Sequence, residues 1–184
     1  MLEKMNYKVN KEVPLPLEII NGQACGQVKN FRLGFFSFGY CGCEMIALYN
    51  ATLLLGGNPN LAEITKECYK RCVFFWGIFG STPDCLRCYF KDKNIGYQAY
   101  RNYDKFWARI RDGRIGVVSF WNAKNPLKGI HTVCVQEVNG KIRVYNRSNH
   151  RETPADYDRP EDFFPRGTQF IVGFTDFDME KYNG

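Results

Sequence analysis

Cys43, His131 and Asn146 are the side chains in this chain whose types and order can do covalent chemistry. Cys43 lies in Gly42-Cys43-Glu44-Met45-Ile46-Ala47-Leu48-Tyr49-Asn50, and almost every residue from there to Leu55 is apolar, which predicts a helix buried all round. A helix start carries unpaired N–H groups and about half a positive charge. A thiol placed there has its thiolate stabilised, and the same N–H groups can hold the oxyanion of a tetrahedral intermediate. Gly42 lets the backbone approach closely. His131, in Gly129-Ile130-His131-Thr132-Val133, opens a strand, and Asn146 follows on the returning one. A thiol, an imidazole and a carboxamide in that order are the parts of an acyl-transfer site with a cysteine nucleophile.

The hairpin that must position the last two is legible. Val138-Asn139-Gly140-Lys141 signals a two-residue turn. It pairs Val138 with Lys141, which places Val133 opposite Asn146 and His131 opposite Ser148. Cross-strand partners share a face, so His131 and Asn146 become diagonal neighbours roughly 7–8 Å apart at the backbone. In this register the Asn146 carboxamide orients the imidazole, which acts as base toward Cys43. A three-residue loop would shift every pairing and undo the arrangement.

The remaining elements follow from pattern. Residues 1–29, with Pro14 and Pro16, read as an irregular N-terminal arm, and 30–184 as one domain. Gly34 to Gly42 is aromatic and glycine-rich, a loop suited to lining a cleft through Phe36, Phe38 and Tyr40. Gly56-Gly57 stops the Cys43 helix. Asn60-x-x-Glu63 resembles a capping box opening a helix to about Cys72. Thr82 as N-cap, with Pro83 in the first turn, opens another to about Lys93. Tyr103 to Arg111 predicts an amphipathic helix. Ile115–Trp121, Ile130–Val138, Lys141–Tyr145 and Thr168–Phe174 read as strands. Helices first and strands later define an α+β domain.

Composition bounds the partners. The chain has 184 residues, enough for a substantial core, and a dispersed net charge of +6. Its densest basic stretch, Arg101 to Arg114, carries no recognition motif, which argues against nucleic acid. No run has signal-peptide character or the ~20 apolar residues of a membrane span, so a cytoplasmic protein without a membrane partner is expected. The eight cysteines read as reduced thiols. Cys68-x3-Cys72 and Cys85-x2-Cys88 admit a zinc reading, but at helical spacing each pair also fits one buried stripe. Cys41 and Cys134 read as packing residues and His150 as a surface residue; no metal or other cofactor is expected.

The arrangement resembles the papain-like cysteine peptidase superfamily, and particularly compact bacterial members related to bacteriocin-leader peptidases. Ala47-Leu48-Tyr49-Asn50-Ala51 is similar to the helix that follows their nucleophile, and counting back from it places the nucleophile at Cys43 rather than Cys41. Gly129-Ile130-His131-Thr132-Val133 and Tyr145-Asn146 look like their histidine strand and the following Asn or Asp. The resemblance covers roughly residues 30–175. It implies a helical part packed on an antiparallel sheet, a Cys43-His131-Asn146 triad, a peptide or protein substrate, and Trp121 covering the His–Asn hydrogen bond. Two positions depart from it. Glu44 replaces the glycine that often follows the nucleophile, and a carboxylate there raises a neighbouring thiol's pKa. Ser37 stands where an oxyanion glutamine is usual; Ser37, Asn30 and Gln27 are the substitutes in sequence. A binding domain that kept the scaffold, and an amidase, deamidase or acyltransferase on it, are the alternatives.

Overall fold

A computed structural model describes residues 1–72, 82–123, 129–164 and 169–180, the last three residues of the first span by their backbone alone. The chain runs α1 (Leu2–Lys11), a 3-10 turn (Val28–Asn30), β1 (Arg32–Leu33), β2 (Phe36–Ser37), α2 (Phe38–Cys41), α3 (Cys43–Leu54), α4 (Leu61–Cys72) and α5 (Asp84–Asp92). It continues with β3 (Gly96–Tyr100), α6 (Tyr103–Arg111), β4 (Gly116–Trp121), β5 (Ile130–Val138), β6 (Lys141–Tyr145), β7 (Ala155–Tyr157), α7 (Pro160–Phe163) and β8 (Phe170–Asp178). This is a mixed α+β fold. Its antiparallel six-stranded sheet has the order β3-β8-β4-β5-β6-β7, and β1 and β2 form a separate small hairpin.

α3 is buried along every residue from Glu44 to Thr52, the polar Glu44, Asn50 and Thr52 included, and ends where Gly56 takes φ +82°. Asn60 caps α4 by accepting from the N–H groups of Ala62 and Glu63. Glu63 does not complete the box; its carboxylate binds Tyr7 and Lys66 instead. α5 begins at Asp84, one turn-residue later than a Thr82 cap predicts, with Pro83 already helical. α6 is capped by Asn102 and buries Phe106, Trp107 and Ile110.

The sheet is packed on both faces. Val117, Cys134, Tyr145, Val172 and Phe174 join the core built with α3, α4 and α5. Val118, Phe120, Val133, Val135, Ile142 and Val144 face the opposite way, onto Phe106 and Trp107 of α6 and Phe163 of α7. The β5–β6 register pairs Val138 with Lys141 and Cys134 with Tyr145, and Asn139 and Gly140 both have positive φ, as the two-residue turn predicts.

Three local expectations change. The N-terminal segment is not irregular throughout, because α1 occupies ten of its residues. The Gly34–Gly42 stretch holds strand β2 and the short α2 rather than a plain loop. The last strand spans Phe170 to Asp178, four residues past the expected end at Phe174; its expected start, Thr168, lies outside the described residues. The basic stretch is also committed internally: Arg109 and Arg114 pair with Asp176, and Arg111 donates to the Asp158 carbonyl. Among the described residues no helix is long and apolar enough to cross a membrane.

Candidate active site

Cys43 is the first residue of α3, with Gly42 before it as N-cap. A Cβ on Gly42 would lie 2.5–2.7 Å from three atoms of the Phe38 side chain, so what requires a glycine here is packing against Phe38. Main-chain N–H groups of Thr132, Glu44 and Cys43 itself are directed at the sulfur. Thr132 follows His131 in β5, so α3 brings the Cys43 thiol to the residue next to the imidazole. Among the described residues no hydrogen bond joins the thiol to the ring.

His131 is 6 % exposed. Register makes Phe120 its cross-strand partner, and the Phe120 ring meets the imidazole edge-on at 5.8 Å. Trp121, one residue on, pairs with Ile130 and lies on the alternate face, its carbonyl accepting from Gln169. The aromatic wall beside the imidazole is therefore Phe120 rather than Trp121. Phe120 in turn stacks on Phe164 and carries the Arg147 guanidinium over its ring at 5.8 Å.

Asn146 stands beside His131 as the hairpin predicts, but with a different group. β6 ends at Tyr145, and Asn146 takes φ +58°, which turns it out of the ladder. Its main-chain carbonyl then lies 2.9 Å from His131 Nε2. Its carboxamide points elsewhere: Oδ1 accepts from Gln23 N–H at 3.1 Å, and Nδ2 donates to Gln23 Oε1 at 3.1 Å. A carbonyl can only accept, so Nε2 carries the proton when the ring is neutral and Nδ1 keeps the lone pair.

Burial sets the protonation states. It pushes the Cys43 thiol up to about 12, reinforced by the neighbouring Glu44 and opposed by the three N–H groups. It pulls the His131 imidazole down to about 4, with the Asn146 and Arg147 carbonyls opposing and the Arg147 charge assisting. The resting pair is neutral on both sides. The helix start alone does not outweigh the burial of this thiol.

The remaining site residues are distributed as follows. Ser37 is the N-cap residue of α2, and its carbonyl accepts from Cys41 Sγ. Asn30 and Gln27 bond each other on the exposed 3-10 turn. Phe38 is fully buried, while Phe36 packs on Tyr40, which is 61 % exposed. Cys41 is buried and donates to the Leu33 and Ser37 carbonyls. Cys134 lies in the core on the α3 side, and His150 is exposed. Among the described residues no three metal-ligating side chains cluster. Cys68 and Cys85 are buried; the side chain of Cys72 lies outside the described set. A cavity of about 330 Å³ lined by Val13, Leu15, Phe31, Tyr49 and Leu61 holds no thiol or imidazole.

Asn21 and Gln23 join the site without any signal in the sequence. Nothing local distinguishes Gln23 from Gln27, because its partner is 123 positions away in the chain. In sequence comparison no family model matches the chain, and no curated protein matches it either.

Proposed function

We propose that the protein is a cysteine-dependent hydrolase of papain-like type, cleaving a peptide or related amide bond through a thioester. The observation that carries the reading is the Thr132 N–H directed at Cys43 Sγ, which brings a helix-start thiol to the strand position adjoining His131. Cys43 attacks the substrate carbonyl as its proton passes to His131 Nδ1. The N–H groups at the start of α3 are the available donors to the resulting oxyanion. The imidazolium returns the proton to the departing amine, and water then releases the acyl group by the reverse proton movement. Because thiol and imidazole are both neutral at rest, proton transfer accompanies attack rather than preceding it. No cofactor enters any step.

The test is acyl-enzyme trapping. The protein is incubated with an activated ester, quenched in acid and mapped by peptide mass spectrometry. Acylation concentrated on Cys43 and lost in His131→Ala supports the reading. Equal acylation of the half-buried Cys25 and Cys88 would sink it. Amidase, deamidase and acyltransferase variants use the same residues and are separated by substrate profiling.

A second reading, a binding domain that kept the scaffold, is favoured by one observation. The Asn146 carboxamide is wholly engaged by Gln23 and makes no bond to His131. Trapping that fails while the fold is intact selects this reading.

A further inference from the structure

The segment before β1 crosses the exit of β6 and grips Asn146 from three directions. Asn146 N–H donates to Asn21 Oδ1 at 2.8 Å. Gln23 N–H donates to Asn146 Oδ1, and Gln23 Oε1 accepts from Asn146 Nδ2. Gln23 is itself anchored, donating through Nε2 to the Gly39 carbonyl at 3.2 Å, and is 3 % exposed. Just beyond, Ala24 N–H donates to the Asn149 carbonyl, while Asn149 Nδ2 donates to the same Gly39 carbonyl. Every polar group of Asn146 is thereby accounted for: its N–H by Asn21, its carboxamide by Gln23, its carbonyl by His131.

Asparagine is one of the few non-glycine residues that adopt positive φ readily, and its surroundings decide whether it keeps that conformer. Here the fixing contacts come from Asn21 and Gln23, and their consequence is the direction of one carbonyl. We infer that Asn21 and Gln23 are positioning residues for His131, holding the Asn146 carbonyl on Nε2 so that the imidazole presents an unprotonated Nδ1. The conventional role of a carboxamide, bonding the imidazole directly, is here relayed: the side chain fixes the backbone and the backbone fixes the ring. The inference deepens the hydrolase reading, since a base at Nδ1 is what that mechanism uses. It is nonetheless a statement about tautomer that stands or falls by itself.

The chain has two histidines, one buried and one exposed, so imidazole nitrogen NMR of uniformly 15N-labelled protein at neutral pH resolves them. The wild type is expected to show His131 as a single tautomer, one nitrogen pyrrole-like and one pyridine-like, with the proton on Nε2. In Asn21→Leu and in Gln23→Met the two resonances are expected to move toward each other as the second tautomer becomes populated. Asn21→Asp, which keeps the acceptor, is expected to restore the wild-type pattern. Folding is followed in the same samples by backbone amide spectra. If a variant does not fold, the wild-type spectrum still decides, because a proton on Nδ1 overturns the inference without any mutant. An unchanged single tautomer in folded Asn21→Leu and Gln23→Met overturns it as well. A correct tautomer with no acylation of Cys43 would remove the hydrolase reading and leave the positioning role standing.

Discussion

Asn50, in the middle of α3, holds Ile20 by both of its main-chain groups. Oδ1 accepts from Ile20 N–H at 2.9 Å, and Nδ2 donates to the Ile20 carbonyl at 2.8 Å. The carboxamide acts as a one-residue strand, and its neighbour Tyr49 donates to the Pro16 carbonyl. These three hydrogen bonds tie the N-terminal segment along α3 and lead it toward Asn146. Tyr49 and Asn50 belong to the stretch on which the papain-like resemblance rests. In this chain their task is to bind the segment that reaches Asn146.

Asn50→Ala is therefore expected to destabilise the fold by about 2–4 kcal/mol. Asn50 is fully buried, and its loss leaves a buried N–H and a buried carbonyl of Ile20 without partners. Denaturant unfolding followed by tryptophan fluorescence measures the change. A shift under about 0.5 kcal/mol, the ordinary range of a surface substitution, would mean that the segment is held by other contacts.

The acid limb of stability is assigned to His131. Its folded pKa, about 4, lies below the ordinary value of 6.5, so the unfolded chain binds the extra proton first as pH falls. Its contribution is complete above pH 6.5, declines below that, and is gone under pH 4. The total is about 3 kcal/mol, since each tenfold loss of proton affinity on folding is worth roughly 1.36 kcal/mol. Glu63, Asp156 and Asp176, whose carboxyls lie below their ordinary values beside Tyr7 and Lys66, Arg143 and Arg109 respectively, act only as pH falls through 4.5 and below, so the window above 4.5 belongs to the imidazole. Unfolding free energies at pH 7 and pH 4.5 are expected to differ markedly in wild type and much less in His131→Gln. Equal slopes in the two proteins would count against a buried neutral ring.

How much of this is legible in the sequence depends on how local the signal is. α6, β5 and β6 are bounded as read, because an amphipathic period and an Asn-Gly turn are written in adjacent residues. α1 escapes a pattern reading because its inward positions are Asn6 and Asn10, which bond the Gly34 and Arg32 main chain, and so no apolar stripe marks it. β3 is an edge strand with an exposed, non-alternating pattern. For the candidate site, chain order and hairpin register bring His131 and Asn146 together. The group that Asn146 presents is hidden in a positive φ, which no side-chain pattern records. Phe120, rather than Trp121, faces the imidazole because the β4–β5 register decides it, and no short turn sets that register.

Alkylation tests the thiol directly. With Cys43 raised to about 12 and His131 lowered to about 4, the pair is neutral between pH 5 and 9 in the ligand-free protein. Only the thiolate alkylates, so iodoacetamide is expected to modify the half-buried Cys43 slowly at pH 7, its rate rising steadily into the alkaline range. Peptide-resolved mass spectrometry across pH 5–9 gives the profile. A rate plateau on Cys43 below pH 7 that disappears in His131→Ala would instead establish a thiolate–imidazolium pair.

Gly42 links packing to chemistry most tightly. Its φ is −86°, a value any residue adopts, so backbone strain is no obstacle to a side chain there. The obstacle is Phe38, fully buried and within 2.5–2.7 Å of where a Cβ would stand. Phe38 is tilted against Phe31 at 5.2 Å between centroids, so it cannot simply rotate away. Gly42→Ala must therefore displace the start of α3, and with it Cys43, relative to β5. Overpacking of this kind costs about 1–3 kcal/mol, and the displacement acts on the contact between Thr132 N–H and the thiol. The expected outcome is a folded protein with a lowered denaturation midpoint and Cys43 acylation reduced at least tenfold. The double variant Gly42→Ala/Phe38→Leu, which opens room for the methyl group, is expected to regain part of both. If Gly42→Ala lowers stability but leaves acylation of Cys43 intact, the thiol is not held in place by this packing, and the link from helix start to strand is looser than the geometry indicates.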